Sequence, residues 1–536
     1  MRLMLALSGP VGVGKSSFTR ILEQRFGAVV HSTRAMLATR GTAANRKDLQ
    51  DAGETADRET DGSWVADELT KILSAEPDQV VIVDAIRIKK QVDHIRRTFG
   101  AQWRVWHVFI DADDAVLAER YAARENKIEE FPEYDRLKES ATEREIRSLK
   151  PVADRVVDAT RCEPASVVAQ AVAGLGLYPL ELDRLVDVAV GGEYGSEGKG
   201  HVCSYLASDY DMLVRVGGPN AGHKAALPPR EVPITYVHLP SGSAANPEAR
   251  IVIGAGATIW IPRLLEEISD IGLAADRLSI DPQAMIIEPS DRVYEGRNGD
   301  KIGSTKQGVG AATARKILGR FESAPLGSPV RLARDAGELA AFVRPTAPLF
   351  EDAFARGRKV LLEGTQGTEL SLHHGSYPHV TSRDTTVAGC LADAGIAPGR
   401  VRKVVMVTRT YPIRVGGESG PIARPRSYQD ISDRSGVPTH EIAETEVGSI
   451  SNNARRIAEF DWEQVRRAAV LNGATDIALS FSDYIDIANR DARRFEDLTD
   501  ETRDFIEGVE RVTNARVSLI STRFAPRGII DRRNWR

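Results

Sequence analysis

The sequence predicts an α/β protein of two domains, each built on a mainly parallel sheet, the first with helices on both faces. Three observations carry this. Short aliphatic and β-branched runs alternate with stretches of helical periodicity, as at Val80 to Val83, Ile251 to Ile253, Lys359 to Leu362, Val404 to Val407 and Ile477 to Leu479. Two such runs empty into glycine loops that open helices, one near the N-terminus and one after Val190. That is the setting in which backbone N–H groups cradle phosphate. At 536 residues, 42% hydrophobic and 27% charged, the chain is too long for one ordinary core and typical of folded globular material.

Composition narrows the function classes. A net charge of -5 argues against a general electrostatic grip on nucleic acid, so phosphate recognition has to be local. Cys162, Cys203 and Cys390 are far apart and lack metal-ligand spacing, which predicts reduced thiols and no structural zinc. No apolar run approaches a membrane span, and the first one leads straight into a phosphate loop. The expectation is a cytoplasmic protein with neither membrane nor direct nucleic-acid partners.

The first domain is read as residues 1–178. After the strand-like Leu3 to Leu7, Gly9-Pro10-Val11-Gly12-Val13-Gly14-Lys15-Ser16 matches GxxxxGK[ST] in full, with Ser17 following. Gly9 and Gly14 allow close backbone approach, Lys15 would reach the β- and γ-phosphates, and the Ser16 hydroxyl would hold Mg²⁺. Val80 to Val83 delivers Asp84 and Arg87 in VVIVDAIR, and WRVWHVFID is a third strand. A charge-rich helical stretch with arginines at 120, 124, 136 and 144 comes next. After a P-loop and a DAIR block, this stretch is similar to the mobile lid of nucleoside-monophosphate kinases, whose arginines close over the transferring phosphate. The resemblance implies that Arg34 in HSTR, the LQDAG run near Leu49, Asp84 and Arg87 serve the acceptor, and that Arg120 and Arg124 belong to the lid. A helix from Ala165 to Leu175 ends the domain, and a short hinge leads to the second, read as 184–536.

There, Val186 to Val190 runs into a loop with glycines at 191, 192, 195, 198 and 200 and with Lys199 between the last two. Gly195, Gly198 and Gly200 let main-chain N–H groups meet an anion, and Lys199 adds a point charge. The loop is not a Walker A motif, because Glu193 stands where the first glycine would be. A further run, Met212 to Val216, leads to Asn220-Ala221-Gly222-His223, with an imidazole at the end of a flexible loop. GSEGKG and NAGH together resemble the adenylosuccinate synthetase family, which writes them GDEGKG and NAGH. IGSTKQGVG at Ile302, EGTQGTELSLHHGSYPHVTSRDTT at Glu363 and TEVGSISNNARR at Thr445 continue the resemblance in order.

That resemblance implies a homodimeric enzyme and a two-step ligation. A nucleoside triphosphate phosphorylates the purine O6, and the amino group of L-aspartate then displaces the phosphate at C6. Lys199 matches the phosphate-loop lysine, His223 the histidine beside O6, and Gly222 the glycine whose carbonyl meets Mg²⁺. Asn220, Thr305, Gln366 and Thr381 match positions that hold the acceptor nucleotide, and Arg455 lies in the loop that receives the aspartate carboxylates.

The departures carry information. Ser196 stands where the family has the aspartate that serves as N1 base; a hydroxyl can neither take that role nor offer a carboxylate to Mg²⁺. Two readings stay open: an inactive site kept for scaffolding or sensing, or room for a purine with a 2-amino group. The second resembles the phage-type branch, N6-succino-2-amino-2'-deoxyadenylate synthase, which ligates aspartate to dGMP; it implies the cytoplasm of a phage-infected bacterium. Asn453 replaces an arginine that would contact ribose, which is consistent with a deoxyribose. The guanine-reading TKLD appears as Ser480-Phe481-Ser482-Asp483, so the carboxylate remains while Phe481 can stack on either purine. The expected donor is ATP or dATP, with GTP as the alternative. The expected substrates are L-aspartate with dGMP, IMP being the alternative, and a purine deoxynucleoside monophosphate for the kinase.

Overall fold

Leu3, Leu5 and Leu7 pack into one core while Met4 and Ala6, between them in sequence, pack into another. A strand apolar on both faces has to lie inside a sheet covered on both sides. The structure, a computed structural model, describes residues 2–39, 46–73, 80–123, 133–178, 183–226, 232–321, 329–448, 453–525 and 528–535. The chain divides into two units, Met1–Leu180 and Glu181–Arg536.

In the first unit five strands form a parallel sheet: β1 (Leu3–Ser8), β2 (Val29–Ser32), β3 (Val80–Asp84), β4 (Arg104–Asp111) and β5 (Arg155–Asp158), in the order β2-β3-β1-β4-β5. Its helices are α1 (Lys15–Phe26), α2 (Thr33–Thr39), α3 (Arg46–Thr60), α4 (Trp64–Ile72), α5 (Lys89–Phe99), α6 (Asp114–Ala122), α7 (Tyr134–Lys138), α8 (Ala141–Ser148) and α9 (Pro164–Val172). Phe18 and Leu22 of α1, Leu117 of α6 and Val168 of α9 cover one face, and Trp64 of α4, Val92 and Ile95 of α5 and Ile146 of α8 cover the other. β1 lies between β3 and β4, so the phosphate loop and the Asp84 end of β3 emerge side by side. The last helix, Pro164–Val172, ends three residues earlier than expected, and Leu175 beyond it is still buried in the same core.

The second unit repeats the logic on a larger scale. Val186, Val188 and Val190 face one core and Ala189 the other; Val404 and Met406 likewise alternate with Val405 and Val407. Nine strands lie in the spatial order Leu278–Ile280, Arg250–Ile253, Met212–Arg215, Val360–Glu363, Val186–Gly191, Val401–Arg409, Asp476–Ser480, Arg516–Ser521 and Ile529–Asp531. All neighbours are parallel except the last pair. The strand Val186–Gly191 sits between Val360–Glu363 and Val401–Arg409, and Arg215 is in register with Glu363. Parallel neighbours bring their carboxyl ends together, so blocks far apart in sequence converge on one sheet edge. Among the described residues no helix is long and apolar enough to cross a membrane.

Candidate active sites

In the first unit, Gly14 caps α1 in the left-handed region, with φ 100, and releases the helix at Lys15. Lys15 Nζ donates to the carbonyls of Gly9 at 2.6 Å and Pro10 at 3.0 Å, so the ammonium lies over its own loop. Ser16 is exposed and Ser17 half-buried on the first turn. Asp84 Oδ1 is buried without a hydrogen-bond partner; burial raises its carboxyl, and the Lys15 charge works against that rise. Arg87 is half-buried; burial lowers its guanidinium, and Asp57, Glu54 and Glu143 oppose the shift. Arg34 is exposed on α2. Arg120 Nη2 donates to the Ala159 carbonyl at 3.1 Å, which ties α6 to the chain beyond β5. Arg124 lies outside the described residues.

In the second unit the glycine loop ends at Gly198, whose φ of 94 starts the helix Lys199–Leu206. Gly195, at φ 98, passes so close to the next block that a Cβ would meet Gln366 Cα at 2.9 Å. Lys199 is buried, donating to Glu197 Oε2 at 2.7 Å and to the Gly195 carbonyl at 3.2 Å. Glu197 Oε1 in turn accepts from the N–H groups of Glu193 and Gly195 at 3.0 and 2.7 Å, which folds the loop around the ion pair.

His223 is buried, and its Nδ1 pairs with Glu363 Oε1. Glu363 also accepts from Arg215 Nη1 at 3.0 Å and from the Ser241 N–H at 2.7 Å. Burial would raise the Glu363 carboxyl, but Arg215 and His223 outweigh it and hold it at about 2. Burial, with Arg215 beside it, pushes the imidazole down to about 4. His223 is therefore neutral at pH 7, with Nδ1–H on the carboxylate and Nε2 without a partner.

Two cavities open on this edge. One, of about 450 Å³, takes in Asn220, Thr305, Gln366 and Thr381. Gln366 Nε2 donates to Asn220 Oδ1 at 2.7 Å, and Asn220 Nδ2 donates to Thr381 Oγ1 at 3.2 Å, so two distant blocks share one polar wall. The other, of about 460 Å³, takes in Lys199, Gly200, His223, Phe481, Asp483 and Phe524. Gly195, Ser196, Gly222 and Arg455 line both. The thirteen residues that the sequence assigns to the ligase half thus border one or the other of two adjoining spaces.

Asp483 is engaged from one side: Arg490 Nε donates to its Oδ2 at 3.0 Å and Arg490 Nη1 to Glu441 Oε2 at 2.8 Å, while Oδ1 has no partner. Burial pushes the Asp483 carboxyl up to about 6. Phe481 has the Arg409 guanidinium 3.9 Å from its ring centroid. Sequence reasoning missed Arg490 and Arg409, which enter from outside the motif blocks, and Glu446, which stands inside TEVGSISNNARR. Glu197 and Glu363 stand inside GSEGKG and EGTQG, where a carboxylate next to a glycine loop was the available signal.

Comparison with known proteins agrees with this arrangement. The model of the family described as adenylosuccinate synthetase matches residues 188–320 and 330–490, and that described as AAA domain matches residues 5–147. The adenylosuccinate synthetase of Methanocaldococcus jannaschii is 34% identical over 356 residues, which are 65% of this chain and 96% of the relative. That of Pyrococcus horikoshii is 34% identical over 357 residues, covering 65% and 98%. Among solved structures, fully ligated adenylosuccinate synthetase from Plasmodium falciparum aligns with a TM-score of 0.56 at 19% identity over 65% of this chain and all of the other, a likeness of fold. The succinoaminodeoxyadenylate synthetase of cyanophage S-2L, bound to dGMP and to dATP as energy donor, aligns with a TM-score of 0.54 at 27% identity over 65% of this chain and 95% of its own. The chain belongs to the adenylosuccinate synthetase family of C–N ligases, with a P-loop kinase-like domain ahead of the synthetase domain.

Proposed function

We propose that the chain is bifunctional. The synthetase domain (184–536) joins L-aspartate to C6 of dGMP with hydrolysis of a nucleoside triphosphate, giving N6-succino-2-amino-2'-deoxyadenylate, and the kinase-like domain (1–178) phosphorylates a purine deoxynucleoside monophosphate. The observation that carries the ligase reading is the junction of two cavities at Ser196, Gly222 and Arg455. A phosphoryl group passing from a triphosphate in one space to a purine oxygen in the other needs such contiguity. A serine at the junction offers less bulk than a carboxylate, which suits a purine with a 2-amino group. The 27% identical cyanophage enzyme bound to dGMP supports the same reading.

The residues divide the work. Asn220, Thr305, Gln366 and Thr381 hold the acceptor nucleotide; Gly195, Gly198, Gly200 and Lys199 grip the donor phosphates. His223, oriented by Glu363, takes at its unpartnered Nε2 the proton that leaves purine N1 as negative charge gathers on the purine oxygen, and then donates a hydrogen bond to that oxygen. Arg455 receives an aspartate carboxylate. Asp483 and Phe481 meet the donor base. With Arg490 on one of its oxygens, Asp483 offers one acceptor inward. Adenine presents one exocyclic amino group to it, whereas guanine presents two adjacent donors, which favours ATP or dATP over GTP.

Mg²⁺ fits the oxygen donors present: the Ser16 hydroxyl with the unpartnered Asp84 Oδ1 in one domain, and the Gly222 carbonyl in the other. Bound with the triphosphate, it would neutralise phosphate charge. The protein acts in the cytoplasm, that of a phage-infected bacterium on the phage-type reading.

The test offers the purified chain dGMP, GMP and IMP in parallel, each with L-aspartate, Mg²⁺ and either ATP or GTP, with products detected by mass. A succinylated dGMP formed with ATP is the expected result. An IMP adduct alone would make it an ordinary adenylosuccinate synthetase. Thermal stabilisation by nucleotides without any product would favour a sensing scaffold.

A further inference from the structure

A buried charge cluster joins Ser196 to Arg455. Glu446, just past the helix Thr439–Thr445, is fully buried. Its Oε1 pairs with Arg409 Nη2 and accepts from the Tyr484 hydroxyl at 2.9 Å. Its Oε2 has no hydrogen-bond partner and lies 3.5 Å from Arg455 Nη1. Arg409, itself buried, donates from Nη1 to the Ser196 carbonyl at 3.2 Å and lies against the Phe481 ring. One carboxylate thus faces two guanidiniums. Two further acids lie near Arg409: Asp483, which Arg490 pairs at 3.0 Å, and Glu193, whose carboxyl burial pushes up to about 8 and whose Oε1 accepts from the Thr408 hydroxyl at 2.7 Å and the Arg409 N–H at 3.1 Å. The three side chains Arg409, Glu446 and Arg455 carry one positive charge in excess, and Arg455, which lines both cavities, is the member held less closely.

We infer that Arg409 is a positioning residue: by engaging Glu446 it leaves the charge of Arg455 for a substrate carboxylate, and with its other Nη it fixes the loop carbonyl at Ser196. The inference rests on the proposed reading of Arg455 as the receptor of L-aspartate. In a buried site a single net charge weighs heavily on whether an anion binds. Without Arg409, Glu446 would pair with Arg455 and the cluster would be neutral. With Arg409 and Glu446 both neutralised, the excess charge on Arg455 returns.

The experiment measures L-aspartate binding to the full chain by calorimetry in the presence of dGMP, and the aspartate KM and kcat of the ligase reaction, with thermal unfolding of every variant in parallel. Arg409→Met is expected to weaken L-aspartate by about tenfold or more while the dGMP KM stays within about twofold. The pair Arg409→Met with Glu446→Gln is expected to regain most of that loss, which a merely structural role would not produce. Arg409→Lys keeps the charge and is expected to hold aspartate affinity, its defect falling in kcat through the lost Ser196 contact. Unchanged affinity in Arg409→Met, or a double variant no better than the single, would overturn the inference. Should Arg409→Met not fold, Glu446→Gln alone decides: it frees Arg455 and is expected to bind L-aspartate at least as tightly as the wild type, and weaker binding overturns the proposal. Arg455→Met separates the two readings. If it binds L-aspartate like the wild type, or if the wild type binds none, the Arg455 assignment falls and this inference with it. If Arg455→Met loses binding while Arg409→Met does not, this inference alone falls.

Discussion

Ser196 puts a small neutral group at the one place where both cavities meet, and its main chain is fixed by Arg409 rather than by its own side chain. Selectivity at that point is then a matter of space and charge. Ser196→Asp is expected to move the ratio of dGMP to IMP kcat/KM toward IMP by about tenfold or more, the size of effect one misplaced polar group has in a tight site; an unchanged ratio would leave the spatial account without support. Glu363→Gln tests the orientation of His223. The amide keeps the shape but removes the charge that stabilises a protonated imidazole, so kcat is expected to fall by about 10²-fold with nucleotide KM values little changed. His201 gives a pH prediction. It is buried, neither ring nitrogen has a hydrogen-bond partner, and burial pushes it down to about 4. The folded chain keeps it neutral while the unfolded chain protonates it near the ordinary value of 6.5. Its contribution is therefore complete above that value and is lost as pH falls toward about 4, a loss of about 3 kcal/mol. Urea unfolding of wild type and His201→Phe across that range should show the steeper pH dependence in the wild type.

At the scale of elements, the central strands were legible because burial on both faces makes each read as an unbroken apolar run; the predicted runs at Val80, Ile251, Val404 and Ile477 lie within observed strands. The phosphate loops were legible because positive φ leaves a glycine signature. Gly198→Ala would force an alanine into φ 94 at the helix start, at a cost of about 1 kcal/mol or more placed where the donor phosphates lie. Ligase activity is expected to fall sharply while kinase turnover is retained, and equal loss of both would show a general folding defect instead. The partners of these loops were not legible. Arg490 meets Asp483 across a short helical turn, and Glu446, just past the helix Thr439–Thr445, meets Arg409 at the end of a strand; such pairs arise from tertiary placement and leave no spacing in the sequence. Arg120 shows the same limit: its bond to the Ala159 carbonyl beyond β5 leaves no spacing in the sequence either.

At the scale of the whole molecule, two phosphate sites built from separate cores should fail separately: Lys15→Ala is expected to abolish kinase turnover over a panel of monophosphates and leave the ligase intact, and His223→Ala the reverse. The synthetase domain also carries exposed apolar residues. Val293 and Tyr294 lie on the helix Pro289–Asn298, Ile317 on the helix Val309–Leu318 packed beside it, and Phe321 just beyond. Ile302, Leu372 and Tyr377, also exposed, rim the cavity proposed for the acceptor nucleotide. Apolar side chains gathered beside a binding cavity are the usual mark of a protein contact, and a second copy of the chain is the occupant that a homodimer requires. Ile317 and Phe321 are 54% and 60% exposed, so replacing them removes little from the core of one chain. Light scattering on the wild type is expected to give a dimer. Ile317→Asp with Phe321→Asp should give a folded monomer whose ligase activity falls and whose kinase activity does not, whereas a wild-type monomer with full ligase activity would show that one chain suffices for both reactions.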